Sequence, residues 1–306
     1  MPASSDSTQP SPFVKWAGGK GQLLPQLEPL YPRGSLLTRY LEPFVGSGAV
    51  FFDIRRRFRL GQAILADGNE DLINLYRAVK DDVETVIKLL GRHKTSHGPD
   101  HYYKVRAQDP RRLTAASRAA RMLYLNKTCF NGLYRVNSKG EFNVPMGRYV
   151  DPPILDAENL RAAAAVLDAV DLRLAHFTQT PGYAARGDFV YFDPPYHPVT
   201  STSYFTSYTQ GAFTASDQEA LADVYTQLSS RGCRVMLSNS DCSFIRGLYR
   251  RFDVRTVRAR RSINSRADRR GLVSEVVVLN YTPRGAQASA RAGRRSVRSS
   301  SQRAQG

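Results

Sequence analysis

The chain is poor in the residues that would place it in several common classes. Cys129, Cys233 and Cys242 are the only cysteines among 306 residues. An odd number without close metal-ligand spacing argues against a disulfide framework or a zinc site and suits a reducing compartment. No apolar run approaches the roughly 18 residues that span a bilayer. The polar start Met1 to Ser11 has no apolar signal core, so the sequence reads as soluble and intracellular. Acids are scarce as well: 27 Asp and Glu stand against 44 Lys and Arg, a net charge of +17. Six of the arginines lie from Arg284 onward with no acid among them, but most of the excess is spread over the rest of the chain. Charge of this size points to a polyanionic partner. With 42% hydrophobic residues the chain can still bury one large core or two modest ones.

The most telling stretch is Phe189-Val190-Tyr191-Phe192-Asp193-Pro194-Pro195-Tyr196. Four apolar or aromatic residues read as a buried strand, and two prolines cannot continue a ladder, so the strand stops at Asp193. In an open α/β sheet the ligand crevice lies beyond the carboxyl ends of the strands, which puts this acid where chemistry is done. The carboxylate of Asp193 and the carbonyl of Pro194 are two acceptors close together, suited to a group with two N–H donors. The exocyclic amino group of a nucleobase is such a group. Hydrogen bonds to both its N–H groups favour a pyramidal nitrogen whose lone pair can attack an electrophilic methyl, while Tyr196 stacks on the base. A turn with a buried tyrosine and a capping aspartate is the plainer alternative.

Tyr40 to Phe52 reads as strand, glycine loop and helix start, with Gly46 and Gly48 letting the backbone approach a ligand closely. Phe51 occupies the third glycine position of a dinucleotide fingerprint, which disfavours a nicotinamide oxidoreductase. A second strand, Ala63 to Asp67, ends in an acid 19 residues after Gly48, where a carboxylate can take ribose hydroxyls. An adenosine ligand without phosphates, such as S-adenosylmethionine, fits this pattern. The only tryptophan, Trp16, lies between Lys15 and Lys20 beside Gly18-Gly19 and reads as a lid over that ligand, with Lys20 near an anionic group.

Further along, a helix is expected from Asn69 to about Leu90, with Leu72, Leu75, Tyr76 and Val79 on its buried face. Lys94 to Pro110 reads as irregular, its histidines (with His93) as exposed loop residues rather than metal ligands. Another helix covers Thr114 to Asn126. Leu133–Val136 and Glu141–Val144 flank Asn137-Ser138-Lys139-Gly140 as a β-hairpin. Strand alternation turns Tyr134 and Val136 to a packed face and Leu133 with Arg135 to the other, where they can grip guanine and touch a thymine methyl in the major groove. A helix over Ala157 to Val170 leads into a strand at Leu172 to Ala175. Thr200 to Phe213 is long enough to be a loop over the site, and Ser216 with Glu219 forms a capping box. Val235 to Asp241 and Val276 to Tyr281 are strands. Arg258, Arg260, Arg261, Arg266, Arg269 and Arg270 form a loop read as a phosphate contact.

With these pieces in place, residues 12 to 283 resemble the Dam-type (D12 class) DNA adenine N6-methyltransferase family. The motifs are Lys15 to Lys20, Glu42 to Gly48, Asp67-Gly68-Asn69, Asn131 to Arg135, Phe142 to Pro145, Asp193 to Tyr196 and Arg261-Ser262-Ile263, in the family's order. The resemblance implies a Rossmann-like S-adenosylmethionine-dependent methyltransferase sheet of α/β class with helices on both faces and an inserted helical and β-hairpin target-recognition domain. Its limits would be 12–70 with 156–283 for the catalytic domain and 71–155 for the insert, between disordered segments 1–11 and 284–306. It further implies that Trp16, Lys20, Glu42, Gly46, Gly48, Asp67 and Asp193 hold S-adenosylmethionine, and that Asp193, Pro194 and Tyr196 receive a flipped adenine. Asn131, Leu133, Arg135, Asn137 and Pro145 would read a GATC-like site in double-stranded DNA. No metal is called for, because sulfonium already activates the methyl, and neither a membrane nor an obligate protein partner is implied. The setting would be the cytoplasm, at the nucleoid, of a bacterium or a phage-infected cell.

Ser240, Tyr134 and Phe130 depart from the family pattern, where histidine, cysteine and tyrosine are common. The phenylalanine lacks a hydroxyl that could touch a phosphate or a base. Cytosine N4 methylation is the near alternative, although serine or threonine more usually replaces the aspartate there. A catalytically idle DNA-binding regulator is the distant one, and RNA or protein substrates suit the charge but not the hairpin.

Overall fold

The computed structural model describes residues 9–198, 213–260 and 272–285. Its centre is a seven-stranded sheet in the order β3-β2-β1-β4-β5-β7-β6. The strands are β1 (Leu36–Glu42), β2 (Arg59–Asp67), β3 (Val170–Leu174), β4 (Phe189–Phe192), β5 (Arg234–Ser240), β6 (Asp253–Arg260) and β7 (Leu272–Leu279). The first five are parallel, and β7 runs antiparallel between β5 and β6. This is the open α/β sheet of Rossmann-like order that was expected, with helices on both faces.

β4 is short and wholly apolar because it lies in mid-sheet and is covered on both faces. Its pleat divides its side chains between two cores. Phe189 and Tyr191 join Tyr40, Phe51, Leu65 and Tyr76 on one side, whereas Val190 and Phe192 join Leu41, Ile64, Leu221 and Tyr225 on the other. Helices α1 (Leu24–Leu27), α2 (Ala49–Arg57), α3 (Glu70–Asp81) and α7 (Ala157–Leu167) contribute to the first core. The short α8 (Thr180–Tyr183), α9 (Ala215–Ser230) and α10 (Ser243–Leu248) lie against the second. Strand order reverses between β1 and β4, and the crevice above that reversal is the expected ligand position.

Between β2 and β3 the chain adds α4 (Val83–Thr95), α5 (Pro99–Arg106) and α6 (Ala115–Thr128). The single helix expected over 69–90 is thus two, broken at Asp82, whose φ of −150° leaves the helical range. Asn69 caps the first by accepting the Leu72 N–H at 3.0 Å. The stretch expected to be irregular contains α5, started by Pro99 with Asp100 in its first turn. Of its three histidines only His97 lies in a loop, and none is exposed. His93 and His101 lie on helices with Nδ1 and Nε2 3.0 Å apart, and His97 bonds the Tyr124 hydroxyl.

The hairpin is slighter than its alternation suggests: only Val136 and Phe142 bridge, flanked by the bonds Asn137 N–H to Glu141 O and Asn143 N–H to Arg135 O. Tyr134 packs, but Val136 is exposed and Leu133 lies partly buried against the core, so the expected division of faces fails. A bridge of one pair does not impose a pleat. The capping box also starts earlier, at Thr214 with Asp217. Arg258 and Arg260, expected in a loop, belong to β6, an edge strand. There the amide of Gln26 takes the Arg258 N–H on Oε1 at 3.0 Å and donates from Nε2 to its carbonyl at 2.8 Å. The remaining arginines of that run, the motif Arg261-Ser262-Ile263, the loop Thr200 to Ala212, residues 1–8 and the tail after Gly285 lie outside the described residues. Among the described residues, no helix is long and apolar enough to cross a membrane.

Candidate active site

β4 delivers Asp193 to the crevice, and the diproline turn that follows is fixed from behind by two fully buried amides. Gln218 on α9 donates to the Pro195 carbonyl at 2.9 Å, and Asn239 on β5 accepts the His197 N–H at 3.2 Å. The two amides bond each other, Asn239 Nδ2 to Gln218 Oε1, at 2.8 Å. Neither could be recognised from spacing, because they meet only when α9 folds onto β5.

Lys20 is 4% exposed, unusual for a lysine, and its ammonium lies 2.8 Å from Asp193 Oδ1 while donating to the Gly18 carbonyl at 2.6 Å. The ion pair occupies Oδ1, which is itself buried away from solvent. Burial pushes the Asp193 carboxyl up to about 6, against the opposing pull of Lys20.

Around this pair lies a cavity of about 530 Å³ lined by Trp16, Lys20, Glu42, Gly46, Asp67, Asp193, Pro194 and Tyr196. Glu42 ends β1; it is buried, accepts the Tyr40 hydroxyl at 2.8 Å, and is raised above the usual carboxylate range by desolvation. Asp67 ends β2 and takes N–H bonds from Gly46 at 3.2 Å and Asn69 at 2.9 Å, with burial again raising it. Gly46, at φ +49°, needs its missing side chain, since a Cβ would come 2.9 Å from Trp16 Cδ1. Gly48 stands behind the wall, opposite the Tyr76 hydroxyl.

Tyr196 was expected to offer its ring to a base. Its hydroxyl donates to Glu275 Oε2 at 2.8 Å, and the Lys20 ammonium lies 4.7 Å from its ring centroid. Glu275 is the residue that sequence reasoning missed. It is the one acid in Val273 to Leu279, a signal in itself, but it stands early in β7, which enters the crevice by its amino end.

Beyond Trp16 a second cleft of about 760 Å³ shares the Trp16–Lys20 wall and adds Lys15, Asn131, Leu133 and Tyr149. Arg135, Asn137 and Pro145 lie outside both cavities on the adjoining surface. Arg135 donates to Asn143 Oδ1 at 2.7 Å. Asn137 shapes the turn, accepting the Lys139 and Glu141 N–H groups at 3.0 Å each, and Pro145 accepts the Phe130 N–H at 2.9 Å. Such a pair of hollows offers an acid-lined pocket beside a groove edged by basic and apolar side chains. No group of three or more His, Cys, Asp or Glu able to hold a metal occurs among the described residues.

The family described as D12 class N6 adenine-specific DNA methyltransferase matches residues 16–263. The chain is 41% identical over 276 residues to the type II methyltransferase M1.LlaDCHI of Lactococcus lactis subsp. cremoris, covering 88% of this chain and 95% of that one. It is 41% identical over 285 residues to the type II methyltransferase M.MjaIII of Methanocaldococcus jannaschii, covering 88% and 99%. It is 37% identical over 274 residues to the DNA adenine methylase of Escherichia coli, covering 89% and 95%.

Proposed function

The chain belongs to the D12 class of N6 adenine-specific DNA methyltransferases, and from that premise we propose that it methylates adenine within GATC in double-stranded DNA, with the adenine turned out of the helix. S-adenosylmethionine is the proposed donor, and when bound it supplies a methyl group made electrophilic by its sulfonium. Asp67 would take its ribose hydroxyls, Trp16 would cover it, and Glu42, Gly46 and Gly48 would shape its seat. The residues suit such a group, because the acids crowd one cavity whose backbone approaches closely at Gly46.

The observation that carries the reading is the Asp193 carboxylate on the cavity wall next to Pro194, with one of its oxygens held by the buried Lys20 ammonium at 2.8 Å. Pairing in the duplex occupies the adenine amino group, so the base must leave the stack, at a cost of a few kcal/mol. In the pocket its two N–H groups meet Asp193 and the Pro194 carbonyl, which draws the lone pair out of the ring. Lys20 opposes the effect of burial and keeps the carboxylate ionised as the acceptor. The same carboxylate lies ready for the proton that the amino nitrogen sheds. Tyr196, tied to Glu275, borders the base. Alignment rather than strong acid or base supplies the rate.

Residues 12–70 and 156–283 would form the catalytic part and 71–155 the target-recognition part, with Asn131, Leu133, Arg135, Asn137 and Pro145 reading the sequence. The site of action would be the nucleoid in the cytoplasm. The test is nucleoside mass spectrometry with sequencing of unmethylated duplex DNA after incubation with S-adenosylmethionine. N6-methyladenine confined to GATC, lost by at least about 100-fold with Asp193→Ala while DNA binding persists, is the expected result. N4-methylcytosine, or near-normal turnover by the variant, would overturn the assignment of Asp193.

A further inference from the structure

Helix α6 ends in a buried amide to which neither the pocket nor the groove assigns a part. Asn126 is 2% exposed. Its Oδ1 accepts the Lys15 N–H at 2.8 Å, and its Nδ2 donates to the Lys15 carbonyl at 2.8 Å and to the Gly132 carbonyl at 3.0 Å. One side chain therefore satisfies both backbone groups of the residue before Trp16 and the carbonyl of the residue before Leu133. The segments touch directly as well. A Cβ on Gly132 would come 2.6 Å from Lys15 Cδ. A second tie runs alongside, with the Tyr134 ring 5.2 Å from Trp16 and its hydroxyl donating to Asp71 Oδ2 at 2.7 Å.

Helix packing does not require this arrangement. An apolar residue would fill the position, provided the three backbone groups found other partners. What the amide adds is a fixed distance between the segment carrying Trp16 and Lys20 and the turn carrying Asn131, Leu133 and Arg135.

We propose that Asn126 is a positioning residue that locks the base-reading turn to the Trp16 segment, so that a matching sequence under the turn tightens the methyl-donor pocket and a mismatched one does not. This rests on the assignment above of that turn to DNA and that pocket to the donor. The coupling is reciprocal: the donor strengthens binding of the matching duplex by the same factor.

Trp16, the only tryptophan, reports on its own pocket. S-adenosylhomocysteine is titrated into the full-length protein by tryptophan fluorescence, alone, with a duplex that the protein methylates, and with that duplex altered at one base. The methylated sequence should tighten binding at least about fivefold over the altered one, and Asn126→Ala should erase that difference while changing binding without DNA by less than about threefold. Tyr134→Leu keeps the amide and loses the second tie, so it should reduce the difference. It also serves if Asn126→Ala does not fold. A difference that survives at full size in Asn126→Ala, or in Tyr134→Leu if the first variant is not folded, overturns the proposal. So does wild-type protein that methylates one sequence selectively yet binds S-adenosylhomocysteine equally with both duplexes, and that outcome leaves the proposed function standing. Wild-type protein that methylates no adenine removes both.

Discussion

The turn after β4 and the segment after α6 stand on either side of Trp16 and are built on opposite terms. Asp193 to His197 is held by two fully buried amides, an internal lysine and a tyrosine fastened to Glu275. Phe130 to Val150 is anchored at Gly132 by Asn126 and at Val144 by Tyr102, but the turn between these points rests on a few bridging bonds, and outside them Phe130 is 51% exposed and Val150 98% exposed. Methyl transfer tolerates misplacement by only fractions of an ångström, so its groups are over-determined. A segment proposed to read DNA would have to follow a duplex that bends and opens, and a turn held only at its ends can do so.

The sharpest way to break this contrast is Asn239→Ala. It removes the His197 and Gln218 bonds without touching the pocket wall, and it should slow single-turnover transfer about 10- to 100-fold with little change in DNA affinity. The same variant should lose about 1–3 kcal/mol in denaturant unfolding, because Gln218 is left buried with one bond fewer. Unchanged transfer would mean that the turn holds itself. On the other side, Arg135→Ala should relax discrimination at one base by about 1–3 kcal/mol, seen as methylation of sites altered there. Uniform weakening on all sequences would make Arg135 a phosphate contact.

Acid should separate the regions too. In the proposed reaction the carboxylate form of Asp193 accepts the amino group, and burial places its titration at about 6. As pH falls below that value, kcat/KM should drop about tenfold per unit, whereas DNA binding should not follow the same curve. A flat profile down to pH 5 would contradict the role given to Asp193. Smallest of all, Val136→Thr on the exposed bridge should change stability by less than about 0.5 kcal/mol, a value readable from the same denaturation curves.

Much of this was legible in the chain because parallel strands announce themselves. β1, β2 and β4 are apolar runs that end at Glu42, Asp67 and Asp193, and a carboxyl end is where the crevice must be. β6 hid because Arg255, Arg258 and Arg260 interrupt its apolar residues along an edge, so that its charge looked like a loop. Glu275 hid because an antiparallel strand reaches the crevice at its beginning. The supporting amides Asn126, Gln218 and Asn239 carry no local signature at all. Their partners lie far away in sequence, and only the closed fold identifies them. The break at Asp82 was missed because no glycine or proline marks it.

The amide of Gln26 on the backbone of Arg258 has a consequence for the company the protein keeps. An edge strand is an open invitation to a strand from another copy, since its unpaired N–H and C=O groups are a template for a further ladder. By answering both groups of Arg258 with one side chain, the fold has already filled the place a neighbour's backbone would take. The exposed Arg258 side chain adds charge that would repel a like edge. At that position the edge is thereby closed to a strand from a second copy.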